Sequence, residues 1–60
     1  MRYNEINKLG LCKGDWTRLS SVNDYTLWSV ITKAGTAHEV VTVDLYGEGI
    51  IVEVDGEKVW

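Results

Sequence analysis

From residue 15 onward the chain alternates apolar and polar residues in short runs separated by turn dipeptides, and the runs are rich in Val, Ile, Thr, Trp and Tyr. That combination is the signature of a β-meander. Strands are expected over 15 to 22, 25 to 34, 37 to 46, 49 to 54 and 57 to 60. Asn23-Asp24 and Asp55-Gly56 suit two-residue turns with positive φ, and Gly35-Thr36 offers glycine at the first central position of a type II′ turn. The stretch Tyr46-Gly47-Glu48-Gly49 reads as a longer or bulged loop. Ahead of the strands, Tyr3, Ile6 and Leu9 are spaced three apart, with Asn4 as N-cap and Gly10 as stop. This predicts a short helix over 4 to 9.

Pairing outward from the turns sets Val22 beside Tyr25, Ala34 beside Ala37, Leu45 beside Ile50 and Val54 beside Glu57. Side chains alternate faces with period two, so this register gathers Leu19, Trp28, Val30, Val41, Val43 and Leu45 on one face. Ile50, Val52, Val54 and Val59 join them, with Thr17, Thr26 and Thr32 between. On the outer face Glu53 lands opposite Lys58, a favourable cross-strand pair. The expected fold is mainly all-β: a five-stranded antiparallel meander curled into a small SH3-like barrel, since long strands accumulate twist. Residues 1 to 14 form its N-terminal arm or short helix, 15 to 60 the meander, and 1 to 60 a single domain. The segment Lys13-Gly14-Asp15-Trp16-Thr17-Arg18-Leu19 resembles the first strand of SH3-like barrels of the KOW and Tudor kind, a resemblance that implies a small barrel and nothing about ligands.

The same register leaves apolar residues outside. Trp16, Ile31 and Val40 lie side by side on the outer face, with Leu27, Asp44, Ile51 and Trp60 in a neighbouring row. Two readings account for them. In one, Tyr3, Ile6, Leu9 and Leu11 fold over the patch and complete a second layer. In the other, Trp16, Leu27, Ile31, Val40, Ile51 and Trp60 form a recognition surface anchored by the tryptophans, a residue type that often dominates binding energy.

Length and charge narrow the function classes. Sixty residues hold one small core, so a disulfide, a metal or a second subunit would be a welcome support. Cys12 is the only cysteine, which excludes an intrachain disulfide, and Cys12 with His38 falls short of the four ligands of a structural zinc site. No metal and no cofactor is expected. Net charge is −3, but it is unevenly spread: residues 1 to 33 hold five basic and three acidic groups, a balance of +2, whereas 34 to 60 hold six acids against Lys58 alone, a balance of −5. That acidic half opposes contact with a phosphate backbone, so nucleic-acid binding through stacked aromatics is disfavoured. It favours a basic protein partner instead, with Asp44, Glu48, Glu53, Asp55 and Glu57 as an acidic flank. No stretch approaches a membrane span and the opening residues lack a secretory pattern, so a cytoplasmic address is expected, in a cell or an infected host.

Catalytic patterns are weak. Glu39 adjoins His38 but on the opposite face of one strand, so the two cannot act as base and orienter. Ser20, Ser21 and Ser29 lack a glycine-flanked elbow, and Gly47-Glu48-Gly49 lacks the helix that a phosphate loop feeds. The sequence reading is a non-catalytic protein-binding module, an accessory or inhibitor protein of the sort viruses and mobile elements encode. A self-associating structural protein, pairing through an edge strand or the outer patch, is its alternative, and an SH3-like or OB-like nucleic-acid module stands third.

Overall fold

The computed structural model describes residues 8 to 59. Five strands, β1 (Asp15–Val22), β2 (Tyr25–Ile31), β3 (Ala37–Leu45), β4 (Glu48–Val54) and β5 (Glu57–Lys58), form one antiparallel sheet in chain order. The sheet is not closed into a barrel; β1 and β5 are its two edges. It is nevertheless curved. Tyr25 of β2 and Lys58 of β5 line the same groove, although three strand spacings would part them by about 14 Å in a flat sheet. The expected helix over 4 to 9 falls outside the described residues except for Lys8 and Leu9, which are helical and lead into a 3-10 turn at Leu11–Lys13.

Two turns match the sequence reading. Asn23-Asp24 joins Val22 to Tyr25, with Asn23 at φ 55°, and Asp55-Gly56 joins Val54 to Glu57 with φ 52° and 80°. Asn and Asp tolerate this left-handed backbone better than other side chains do. Tyr46-Gly47 is also a tight two-residue turn, with φ 55° and 78°, so Leu45 faces Glu48 rather than Ile50.

The hairpin between β2 and β3 departs furthest. Its loop is Lys33-Ala34-Gly35, closed by Gly35 N–H to the Thr32 carbonyl at 2.9 Å and by Thr32 N–H to the Thr36 carbonyl at 2.9 Å. Thr32 Oγ1 also accepts the Thr36 N–H at 3.2 Å. Gly35, at φ 86°, is the third loop residue and not the first turn residue. This is the three-residue hairpin that ends in a left-handed glycine. Ile31 therefore pairs with Ala37, where the sequence pairing set Ile31 against Val40. A shift of three residues is odd, so it exchanges the two faces of β3 relative to β2.

The consequence is a different core. Trp28 pairs with Val40 and Val40 with Val54, so Val40 lies inside and not on the outer face. A register shift between Val41 and Thr42 lets Val54 join Val40 while Ile50 stays opposite Val43. Leu11, Val30, Val40 and Val54 are fully buried, and Leu9, Trp16, Trp28, Ile51 and Val59 pack against them. Val41 and Val43 share the opposite face with Tyr25 and Leu27. Leu19, expected in the core, sits at the irregularity between Arg18 and Ser20 and is exposed; Leu45 is exposed as well.

The segment before β1 covers the core face, as one of the two sequence readings had it, with Leu11 as the plug; Tyr3 and Ile6 lie outside the described residues. Trp16 Nε1 donates to the Leu11 carbonyl at 2.9 Å and Trp28 Nε1 to Thr42 Oγ1 at 2.9 Å, so both indole N–H groups are satisfied on the way into the interior. The two rings meet edge-on, with centroids 5.7 Å apart and planes at 73°. Gly14 permits the close return of the chain: a Cβ there would stand 2.7 Å from the Ile31 carbonyl oxygen.

Truncating Leu11 to alanine should cost about 2–5 kcal/mol, a large part of the roughly 3–9 kcal/mol available to a chain of this size. Urea denaturation reads this directly, and an unchanged midpoint would show that the segment is not part of the core. Gly14→Ala should also destabilise, by about 1–3 kcal/mol, because the contact is with backbone and cannot swing away.

Candidate binding surface

Alternation and pairing give the face of the sheet that the described residues leave uncovered a continuous apolar row. Val22 pairs with Tyr25, Tyr25 with Val43 and Val43 with Ile50, so the row crosses β1 to β4 without a polar interruption. Leu45 lies on the same face two residues beyond Val43. Behind the row, Leu27 pairs with Val41 and Val41 with Glu53. The row is unevenly buried: Val22 is 68% and Tyr25 54% exposed, Val43 only 8%, and Ile50 at the far end is half-buried. Tyr46 stands fully exposed at the neighbouring hairpin tip.

The acidic residues frame this face unevenly. Glu48 pairs with Leu45 and Glu53 with Lys58, which places both acids beside the row. Glu53 and Lys58 also line, with Tyr25 and Val52, a groove of about 280 Å³. Asp44, opposite Gly49, and Glu57, opposite Val54, belong by alternation to the covered face. Asp55 is engaged in the β4–β5 turn. The five acids therefore do not form one stripe.

The sequence-predicted surface residues divide in the same way. Trp16, Val40 and Ile51 belong to the covered face, Val40 as core and the other two packed against it. Leu27 is half-buried on the uncovered face, and Ile31 is exposed at its far end between Asp15 and Ala37. Trp60 lies outside the described residues. Val22, Tyr25, Leu45 and Tyr46 were not in the expected surface. Their signal was present: apolar residues flanking a tight turn sit at strand ends, where little of the sheet remains to cover them.

A second feature escaped the sequence entirely. His38 Nδ1 donates to Asp55 Oδ2 at 2.6 Å, and Asp55 Oδ1 accepts the Glu39 N–H at 3.0 Å. The partner of His38 is thus a turn residue 17 positions away, brought there because the β3–β4 ladder runs on to Asp55 N–H and the Glu39 carbonyl at 2.7 Å. His38 and Asp55 line an open groove of about 440 Å³ with Leu19, Ser29, Ala37 and Glu39. The hydrogen bond from His38 holds the Asp55 carboxyl below its ordinary pKa, with the Glu39 N–H helping and partial burial opposing. This couple anchors the last turn to β3. Among the described residues no cluster of three metal-ligating side chains occurs, and no helix is long and apolar enough to cross a membrane.

Compared with protein-family models, curated proteins and solved structures, the chain matches none. The residues themselves carry the functional reading.

Because the Asp55 pKa is lowered on folding, its contribution is present above the ordinary carboxylate pKa and is lost as pH falls through the folded value, below about pH 4. Asp55→Asn keeps a residue that tolerates the left-handed turn and removes the charge. Its urea midpoint should fall below the wild type's at neutral pH by an amount worth under about 1 kcal/mol, because Asp55 is half exposed. The gap should narrow as pH falls below about 4. A gap that persists unchanged in acid would mean the charge plays no part.

Proposed function

We propose that this chain is a small non-catalytic binding module that docks the uncovered sheet face, centred on Val22, Tyr25 and Leu45, onto a protein partner. The observation that carries this reading is the asymmetry of the two faces. One is sealed by Leu9, Leu11 and the two tryptophans; the other holds an apolar row of comparable length in which, among the described residues, Val22 and Tyr25 stand exposed. Exposed apolar residues are ordinary singly, but a row spanning four strands in so small a sheet is a patch.

Tyr25 is the natural anchor. Its ring supplies area at little entropic cost and its hydroxyl accepts or donates at the rim. Glu48 and Glu53 beside the row, with Asp24 at the adjoining turn, favour a partner whose apolar contact is bordered by Lys or Arg. Such charges act mainly on association rate and on rejection of acidic partners. The module would then work by occupancy, covering a surface of its partner, which is how a small accessory or inhibitor protein acts.

The test is affinity capture on immobilised wild type and on a Val22→Ser/Tyr25→Ser variant, followed by titration of the captured protein against both. Binding should weaken at least tenfold in the variant, equivalent to about 1.4 kcal/mol, while its melting temperature falls far less than that of Leu11→Ala. Equal retention on the two columns, or no retained protein at all, would refute the reading.

A further inference from the structure

The strand pairings sort charge between the two faces as well as apolar residues. Asp15 pairs with Ile31, Glu39 with Ser29, Glu48 with Leu45 and Glu53 with Val41, so four acids share the face that bears Tyr25 and Val43. Lys58, opposite Glu53, is the one strand base on that face among the described residues. Arg18, opposite Trp28, and His38, opposite Val30, belong to the covered face. The face left uncovered is thus the acidic one, and its acids border the apolar patch at both ends of β3. Glu48 stands at the Leu45 end, and Glu39 and Glu53 at the Val41 end.

The patch between them is compact. Val22, Tyr25, Val43 and Ile50 cross three strand spacings, about 14 Å, and Val41, Val43 and Leu45 run about 14 Å along β3. Backbone N–H and C=O groups of the sheet point sideways to neighbouring strands, so its face offers them to nothing laid on top. A covering segment must therefore satisfy its own backbone. An extended strand there would leave N–H and C=O groups unpaired against valine and isoleucine, whereas a helix closes its own hydrogen bonds. A helix is about 10–12 Å across and three turns are about 16 Å long, which matches the patch. A second copy of this chain fits poorly, because a two-fold contact would set the same four acids against one another.

We propose that the occupant of this face is an amphipathic α-helix of the protein partner, with large aliphatic residues spaced three and four apart and Lys or Arg on both flanks. The inference rests on the docking reading above and gives its partner a chemistry. A helix lying along the row from β1 to β4 sets its apolar stripe on Tyr25, Val43 and Ile50. Its basic flanks then meet Glu48 on one side and Glu39 with Glu53 on the other.

Three synthetic peptides of about 14 residues test it at about 20 mM NaCl, where exposed charges are weakly screened. One carries Leu and Lys at helical spacing, the second the same composition in strict alternation, and the third the helical pattern with Glu in place of Lys. Each is titrated into the isotopically labelled full chain and followed by amide chemical shifts and circular dichroism. The helical Leu/Lys peptide should gain helicity and shift the signals of Tyr25, Leu27, Val43 and Ile50, and the other two should bind at least tenfold more weakly. Val22→Ser/Tyr25→Ser should lower its affinity at least tenfold. Glu39→Lys/Glu48→Lys replaces two exposed acids and should reverse the preference, so that the Glu peptide binds more tightly. An unchanged far-UV spectrum of each variant alone checks that its fold is intact. The proposal is overturned if the helical Leu/Lys peptide does not bind, if the alternating peptide binds equally well, or if the shifts fall on Leu11, Trp16 and Arg18. A charge-reversed variant that still prefers the Lys peptide overturns it too. Should affinity capture nevertheless return a protein whose binding needs Val22 and Tyr25, the docking reading stands and the helix alone is wrong; failure of both experiments removes both.

Discussion

The loop Lys33-Ala34-Gly35 decides which side chains become the interior. Three residues between Thr32 and Thr36 set Ile31 against Ala37, and with that pairing Trp28, Val40 and Val54 fall into one row. A loop with one residue fewer or more would send Val40 outward and bring Val41 and Val43 in. The loop can hold this choice because Gly35 takes the left-handed backbone that its third position requires, and because Thr32 uses its N–H, carbonyl and hydroxyl to close the turn. Thr32 is itself buried, so those hydrogen bonds also satisfy polar atoms removed from water.

Once that row exists, it needs a cover. Leu11 supplies it, held in place by the Trp16 indole on its carbonyl, with Gly14 letting the chain turn back against Ile31. Among the described residues, the segment before the sheet packs on this face. The other face keeps Tyr25, Leu27, Val41, Val43 and Ile50, too apolar for a face meant to stay wet along its whole length and too exposed at Val22 and Tyr25 to be a core.

Much of this was legible in the residues. The strand positions and the Asn23-Asp24 and Asp55-Gly56 turns follow from alternation and turn chemistry, while coverage of an apolar face by Leu9 and Leu11 was one of two open readings. Face assignment beyond β2 was not legible, because glycine serves equally as the first residue of a two-residue turn or the last of a three-residue loop, and the flanking Thr32 and Thr36 pair well in either case. The candidate surface inherited that error: Val40 moved in, Leu45 moved out, and Trp16 proved to be a clamp on Leu11. Glu48 and Glu53 lie beside a different apolar row from the expected one. The His38–Asp55 couple depends on two turns at once, so no local pattern announces it.

The measurement closest to the centre of the account is a nuclear Overhauser experiment on the Trp28 ring. With Ile31 opposite Ala37, its indole N–H and ring protons should contact Thr42 and the methyl groups of Val40, while the Val43 methyls contact the Tyr25 ring from the other side of the sheet. Contacts from Trp28 to the Val43 methyls, with Val40 free of any aromatic neighbour, would show that the faces are exchanged. The sealed core and the open docking row would then both be wrong.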